Sequence, residues 1–296
     1  MMEVLVYLRL KLVVLLLRFL MRFIIGAPQT SPDEILYIRS RDPTRTIKLH
    51  IYEPRTRSKT PSPVLLNLHG SGFILPLHGS DDEFCSRVAR ETDYTVLDVQ
   101  YRLAPENPFP AALQDVEDAV RWVLKRPGIY KLDRFAISGF SAGGNLALAI
   151  ASVVFPRDTF RSILTFYPST NKSIDPADRK MPDSSAKASP AALSRLFDSC
   201  YIPRTMDRKD PLVSPSFAPV DAFPENVLFV TGAQDNLCFE AEGLASKIEA
   251  AGGSRNVVRR RMENCGHAWD KLAKPGSIQE KAKDEAYALA IELLRR

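Results

Sequence analysis

The chain has 296 residues, of which 45% are hydrophobic and 25% charged, and its formal net charge is +5. That length buries one large core, and this composition is typical of a folded globular protein, which excludes a disulfide-stapled miniprotein and a disordered chain. The positive charge is small and, apart from a short arginine run at 259–261, dispersed, so we expect no nucleic-acid partner.

The first predicted element is an apolar helix over residues 4–25 that carries four cations, Arg9, Lys11, Arg18 and Arg22. On a helical projection three of them, Lys11, Arg18 and Arg22, share one narrow stripe, which favours a helix lying in a membrane interface. We therefore predict that residues 1–26 associate an intracellular protein with the cytoplasmic face of a membrane. Two alternatives stay open: a signal anchor that spans the bilayer, and a helix docked on the protein's own surface as part of a lid.

The four cysteines, Cys85, Cys200, Cys238 and Cys265, stand far apart, and no histidine lies at zinc-ligand spacing from any of them. This pattern predicts neither a structural zinc site nor a disulfide framework. It favours a reducing, intracellular compartment.

After a proline-rich stretch at 54–63, short β-rich apolar runs alternate with longer amphipathic ones. We predict buried strands at residues 64–68, 95–101, 134–138, 162–167 and 227–231, with a further strand at 257–261. Helices are predicted at 81–92, 111–125, 142–155, 241–251 and 280–294. Such alternation predicts a mostly parallel sheet covered by helices on both faces, with ligands at the carboxyl ends of the strands.

Residues 170–223 break this alternation, because they hold several proline, serine and aspartate residues and one modest helical pattern at 191–201. The segment is too long for a plain connection in a compact sheet. We expect it to be a cap inserted over the functional site.

A Gly-x-Ser-x-Gly pattern at 139–143 directly follows one predicted strand and opens the next predicted helix. Small residues let the chain turn sharply there and leave Ser141 exposed on the turn, which is the geometry of a nucleophile. A chance match in a glycine-containing turn is the alternative.

A serine hydroxyl needs an imidazole to take its proton and a carboxylate to orient that imidazole. In this architecture the three groups follow the order serine, acid, histidine along the chain. Asp235 follows the strand at 227–231, and His267 follows the strand at 257–261. We therefore predict a Ser141, Asp235, His267 triad, although Asp235 could instead cap a helix and His267 could be an ordinary loop histidine.

The loop at 69–73 follows the first buried strand and consists of small residues flanked by His69 and Phe73. We predict that the backbone N–H groups of Ser71 and Gly72, with that of Ala142, form an oxyanion hole. His69 is interpreted as a brace for this loop rather than a base. A bland glycine-rich turn is the alternative.

Three blocks, HGSGF at 69–73, YRLAPE at 101–106 and GFSAGG at 139–144, resemble the signatures of the hormone-sensitive-lipase-like branch of the α/β-hydrolases, over about residues 45–296. The resemblance implies an α/β fold with a mostly parallel central sheet, flanking helices and an inserted cap. It also implies a carboxylic ester hydrolase without a metal or an organic cofactor. Two residues depart from the family pattern: Ser71 replaces a glycine and could narrow the acyl site, and Phe140 replaces an acidic residue that could brace it.

The expected substrate is a small to medium, largely apolar ester, processed through an acyl-enzyme. Phe73, Phe197, Tyr201 and Trp269 are candidates for lining its pocket, with ordinary core packing as the equally weighted alternative for each. A membrane-associated lipid esterase is an alternative suggested by the N-terminal helix. The resemblance suggests two others, a secondary-metabolite acetyl esterase and a non-catalytic ligand receptor on the same fold. Acyl transfer to an alcohol and the oligomeric state stay open.

Overall fold

The computed structural model describes residues 2–24, 26, 28–55, 61–186, 189–253 and 255–296. Its strands are β1 (Glu34–Arg39), β2 (Thr46–Tyr52), β3 (Ser62–Leu68), β4 (Thr95–Val99), β5 (Tyr130–Phe140), β6 (Ser162–Phe166), β7 (Asn226–Gln234) and β8 (Asn256–Gly266). Its α-helices are α1 (Met2–Ile24), α2 (Asp82–Glu91), α3 (Ala111–Leu124), α4 (Ala142–Ala149), α5 (Ala191–Tyr201), α6 (Cys238–Ala250) and α7 (Ile278–Arg295).

These strands form one eight-stranded sheet in the order β1-β2-β4-β3-β5-β6-β7-β8. From β4 to β8 neighbouring strands are parallel, while β1 and β2 are antiparallel to their neighbours. The predicted fold class is therefore confirmed. The sheet begins at Glu34, before the expected start of the hydrolase region at residue 45.

The two faces of the sheet carry separate apolar cores because successive side chains of a strand point to opposite faces. On β3, Leu66 and Leu68 join the core under α3, α4 and α6, whereas Leu65 joins the core under α2 and α7. Burial on both faces explains why the central strands are continuous apolar runs. The layers hold the carboxyl ends of β5 to β8 in fixed positions.

The predicted helix at 142–155 is divided. Helix α4 ends at Ala149, and the chain continues through a π-helical turn over Ile150–Val154. Within 170–223 the described residues contain α5 and two short 3₁₀ turns, Pro215–Phe217 and Val220–Ala222. The helical pattern in this segment thus forms the helix that was expected.

Helix α1 lies against the body of the protein. Val14 is fully buried, and Leu10, Leu17 and Met21 pack partly buried against the same core. Among the described residues we find no helix long and apolar enough to cross a membrane. The contacts of α1 are those expected for a helix docked on the protein's own surface.

Arg18 fastens α1 to the loops beside it. Its guanidinium makes two hydrogen bonds to the Glu106 carboxylate, both 3.0 Å long, and donates to the carbonyls of Ile74 at 2.7 Å and Ala104 at 2.8 Å. A paired guanidinium and carboxylate in this arrangement is a strong, directional contact. Arg18 therefore faces the protein instead of sharing a solvent-facing cationic stripe with Lys11 and Arg22.

Candidate active site

Three side chains from three different loops meet at the carboxyl edge of the sheet. His267 Nε2 lies 2.9 Å from Ser141 Oγ, and His267 Nδ1 lies 2.7 Å from Asp235 Oδ2. Since the carboxylate accepts from Nδ1–H, Nε2 keeps its lone pair for the serine proton. The structure thus brings the predicted serine, acid and histidine into one hydrogen-bonded chain.

The turn that presents Ser141 is possible only with small neighbours. Ser141 has a φ of +52°, a strained value for a residue with a side chain. A Cβ on Gly139 would lie 2.3 Å from the carbonyl carbon of Gly143, and one on Gly143 would lie 2.0 Å from the oxygen of Leu68. The two glycines are therefore required by close backbone approach, as the nucleophile turn demands.

The electrostatics of His267 suit a proton acceptor. Burial by itself would lower the pKa of His267, but the charge of Asp235 and its hydrogen bond outweigh this and hold the pKa above its ordinary value. Asp235 is nearly fully buried, and its other oxygen accepts the backbone N–H of Leu237 at 3.0 Å. Because both carboxylate oxygens are engaged, the imidazole is held in one orientation.

The predicted oxyanion residues lie on the wall of the cavity that contains Ser141. Ser71, Gly72 and Ala142 all line it. Gly72 has a φ of +54°, and a Cβ there would lie 2.6 Å from Cδ2 of Phe197. This loop can therefore approach α5 closely only with glycine at that position.

The side chain of Ser71 is tied down rather than projecting freely. Ser71 Oγ accepts the backbone N–H of Phe73 at 2.9 Å and donates to the hydroxyl of Tyr101 at 2.8 Å, which in turn donates to the carbonyl of His69 at 2.6 Å. The ring of His69 stacks on Tyr101 with centroids 4.3 Å apart. Burial lowers the pKa of His69 to about 3, so this imidazole is neutral and acts as packing under the loop.

The cavity beside Ser141 has a volume of about 310 Å³ and a mostly apolar lining. Of the predicted pocket residues, Phe73 and Phe197 line it. Tyr201 instead stacks behind Phe73 at 3.7 Å between ring centroids, and Trp269 is buried against Tyr167 at 5.1 Å. The expectation that Tyr201 and Trp269 line the pocket is therefore wrong, because both rings point into the core.

A larger cleft of about 670 Å³ lies between α1 and α5, lined by residues such as Leu10, Val13 and Leu196. None of the triad residues lines it. The smaller cavity is therefore the one in which a bound molecule would contact Ser141 and His267.

Several residues that were not predicted also line the cavity beside Ser141, among them Met21, Tyr167 and Lys172. Tyr167 follows β6, has a φ of +40° and packs edge-on against His267 at 4.9 Å, so its place after a predicted strand was a usable signal. Lys172 is paired with Asp198 at 3.1 Å. For Met21 the sequence offers no signal, because α1 reaches the cavity only through tertiary packing.

Phe140 stands where the family pattern has an acidic residue, and its ring contacts the ammonium group of Lys271. Lys271 Nζ lies 3.9 Å from the centroid of the Phe140 ring, 2.8 Å from Asp81 Oδ1 and 2.9 Å from Asp270 Oδ2. An ammonium over an aromatic face is attracted to it. Asp270 also accepts the Tyr167 hydroxyl at 2.7 Å, so this network reaches the ring that packs on His267.

Comparison with known proteins agrees with this geometry. The model of the α/β-hydrolase fold family matches residues 65–271. The solved structure of EstE1, a thermophilic carboxylesterase cloned from a metagenomic library, is 27% identical, with a TM-score of 0.79, and the match covers 97% of this chain and 98% of that one. The ethyl acetate hydrolase of Pseudomonas putida is 27% identical over 281 residues, which is 92% of this chain and 86% of that enzyme. Esterase LipI of Mycobacterium tuberculosis is 39% identical over 135 residues, which is 43% of this chain and 42% of that esterase.

Proposed function

Because this chain belongs to the α/β-hydrolase fold family, in its hormone-sensitive-lipase-like branch, and is a carboxylic ester hydrolase, we propose that Ser141, His267 and Asp235 are its catalytic triad. The observation that carries the proposal is the unbroken chain of contacts from Asp235 Oδ2 through both nitrogens of His267 to Ser141 Oγ. This is the arrangement that activates a serine for attack on an acyl carbon.

In the proposed mechanism Ser141 Oγ attacks the ester carbonyl while His267 Nε2 takes its proton. The N–H groups of Ser71, Gly72 and Ala142 stabilise the tetrahedral oxyanion, and Asp235 stabilises the imidazolium. Collapse expels the alcohol, which receives the proton from His267, and leaves Ser141 acylated. A water molecule, deprotonated by His267, then attacks the acyl-enzyme, and Ser141 leaves as the hydroxyl when the acid is released.

The proposed substrate is a small to medium, largely apolar ester. The cavity of about 310 Å³ is at the lower end of the range for small-molecule sites, and aliphatic and aromatic side chains dominate its lining. The nearby cation Lys172 is already paired with Asp198, so it offers no free charge to an anionic substrate. Acetyl esters, including those of secondary metabolites, fall within this class.

Hydrolysis of p-nitrophenyl esters from acetate to palmitate tests both parts of this proposal. We expect turnover to fall by at least about 10³-fold in Ser141→Ala and to decrease with chain length beyond the capacity of the cavity. Wild-type turnover no higher than that of Ser141→Ala would overturn the proposed catalytic role and favour a non-catalytic receptor. A profile that rises towards palmitate would overturn the substrate class.

We propose, separately, that the outer face of α1 binds an anionic lipid surface. Its exposed apolar side chains include Val4, Leu5, Leu8, Leu12, Leu15, Leu16, Phe19, Leu20 and Phe23, with Leu12 70% and Phe23 72% exposed. A continuous apolar surface that faces the solvent is typical of an interaction site.

The charges of α1 are complementary to anionic headgroups. Lys11 and Arg22 lie along one border of this outer face, and Arg9 lies on the opposite border. Cations flanking an apolar helix face are what an interfacial helix presents to acidic lipids. Met21 of the same helix lines the catalytic cavity, so binding would place the site close to the lipid.

Sedimentation with phosphatidylcholine vesicles, with and without phosphatidylserine, tests the lipid proposal. We expect binding that requires phosphatidylserine and is lost in a Leu12→Glu, Phe19→Glu double variant. Ile129→Glu, which changes an apolar residue 55% exposed in another part of the protein, is the matched control and should still bind. Failure to sediment with either vesicle, or concentration-dependent dimerisation abolished by the double variant, would contradict the proposal.

A further inference from the structure

Two of the remaining histidines and a buried aspartate converge on the antiparallel side of the sheet. His50 on β2 pairs directly with Asp98 on β4 in the strand register. His78, from the loop before α2, lies with its ring centroid 4.2 Å from that of His50. Directly paired residues of antiparallel strands bring their side chains close together, so the fold itself assembles this cluster.

Several polar atoms of this cluster are buried without a hydrogen-bond partner among the described residues. They are both ring nitrogens of His50 and Asp98 Oδ2. Leaving such atoms unsatisfied in the interior costs free energy, so a buried imidazole with two idle nitrogens calls for a further ligand. One ligand atom from each of His50, His78 and Asp98 lies within 4.8 Å of the others.

The carboxylate of Asp98 is oriented by its surroundings. Asp98 Oδ1 accepts from Asn67 Nδ2 at 2.9 Å, and Asn67 Oδ1 accepts from the hydroxyl of Ser138 at 2.8 Å. Asp98 Oδ2 lies 3.3 Å from His78 Nε2, which is also within hydrogen-bond distance, 3.1 Å, of the backbone carbonyl of Asp98 and would exchange that contact for a metal ion. Hydrogen-bonded support of this kind is what orients the carboxylate ligands of metal sites.

We propose that His50, His78 and Asp98 bind a divalent transition-metal ion, with Zn²⁺ as the cation of best fit. Their ligand atoms lie within 4.8 Å of one another. Zinc bonds of 2.0 to 2.1 Å place tetrahedral ligand atoms about 3.3 Å apart, and the His78 to Asp98 edge already has this length. A rotation of the His50 ring brings its nitrogen to the same spacing.

The charges around the cluster are mixed. Lys48 opposes a positive charge at both His50 and His78, while Asp82 favours one at His50 and Asp81 favours one at His78.

A cleft of about 340 Å³ lined by Lys48, Pro76, His78 and Gln100 supplies an entry path and room for water at the fourth position. The ion would join β2, β4 and the loop before α2. The ring of His78 lies 5.8 Å from that of His69, which supports the predicted oxyanion loop. The proposed ion would therefore stabilise the structure beneath that loop. It has no role in the proposed hydrolytic mechanism.

The test is Zn²⁺ titration of the full chain after treatment with a chelator, followed by calorimetry and thermal unfolding. We expect one bound ion and a rise in Tm, with affinity at least about tenfold weaker in His50→Gln and in His78→Gln. Co²⁺ should give visible absorption bands of four-coordinate geometry that both variants lose. His78 is the less buried of the two, so His78→Gln decides the question if His50→Gln does not fold.

His267→Ala is the matched control, because the His267 and Asp235 pair is the other imidazole and carboxylate pair that could attract zinc. It should retain the metal-dependent rise in Tm. Loss of binding in His267→Ala alone, or equal affinity in wild type and both glutamine variants, would overturn the proposal. These readouts need no ester turnover, so they stand apart from the test of the triad.

Discussion

Two places in this protein set an imidazole against a buried aspartate, and they differ in what the pair can do. At the carboxyl edge of the sheet, Asp235 and its hydrogen bond overcome burial and raise the pKa of His267. On the antiparallel side, burial dominates and lowers the pKa of His78 to about 4. The His78 to Asp98 contact is also longer, at 3.3 Å against 2.7 Å for His267 and Asp235. The same residue types therefore give an imidazole with a raised pKa in one place and one with a lowered pKa in the other.

The physical reason lies in how each carboxylate is held. Asp235 directs one oxygen at His267 Nδ1 and accepts the backbone N–H of Leu237 with the other. Asp98 is itself disfavoured as an anion by burial, and Lys48 further opposes protonation of the neighbouring imidazoles. Because a pKa reports the balance of desolvation and nearby charge, residue identity alone does not determine it.

The largest expected effect comes from breaking the first pair. Asp235→Asn should lower kcat for p-nitrophenyl acetate by about 10⁴-fold, because the amide no longer holds the imidazole in the required tautomer. Asp133→Asn, at an exposed position in the first half of β5, is the control for the chemical change. A kcat for Asp235→Asn within about tenfold of wild type would show that this carboxylate does not orient His267.

The pH dependence separates the two imidazoles directly. Protonation of His267 blocks it as a base, so kcat/KM should rise with pH and reach half its maximum above pH 6.5, since the pKa of His267 is raised. His50 and His78, with pKa values of about 4, should show no change of proton-sensitive NMR signals between about pH 5.5 and 8. A midpoint below pH 6.5 would contradict the proposed strength of the Asp235 contact.

The lowered pKa values of His50 and His78 and the raised pKa of His267 change stability with pH in opposite directions. His50 and His78 take up protons more readily in the unfolded chain, so the free energy of unfolding should fall as pH drops from about 6.5 to about 4. Urea unfolding across this range measures the slope, and His78→Gln should flatten it by removing one titrating group. The raised pKa of His267 works in the other direction: its contribution is present below pH 6.5 and is lost as pH rises through its folded pKa. An unchanged slope in His78→Gln would mean that other groups dominate acid unfolding.

The sequence predicted the parts of the molecule that are encoded locally. The continuous apolar runs of β3 and β6 were recognisable because both faces of these strands are buried. The turn at Ser141 was predicted from the glycines that flank it. Strands β1 and β2 were not predicted, although β1 contains a short apolar run at residues 35–38. The fold and the ester-hydrolase class predicted from these local signals are confirmed by the family match and the esterase relatives.

The sequence could not predict contacts that depend on how distant segments pair in the fold. Residues His50 and Asp98 are brought together by the strand register, and their spacing along the chain matches no metal motif. Tyr201 was placed at the pocket because an aromatic residue in a cap is equally compatible with lining a cavity or filling the core. Only the packing of α5 decides between these alternatives.

The smallest expected effect concerns the contact that fastens α1. Arg18 is partly exposed, so screening by water limits its ion pair with Glu106, and we expect Arg18→Ala to lower the free energy of unfolding by about 1 kcal/mol. Arg22→Ala on the same helix is the control, because Arg22 lies on the exposed border of the outer face. Denaturant unfolding measures the free energy of unfolding of both variants.

Arg18 also donates a hydrogen bond to the carbonyl of Ile74, the residue after Phe73. If α1 shapes the acyl pocket, Arg18→Ala should therefore raise KM more than it lowers kcat. Equal effects of the two substitutions would show that the contacts of Arg18 add nothing to the apolar packing that holds α1 on the core.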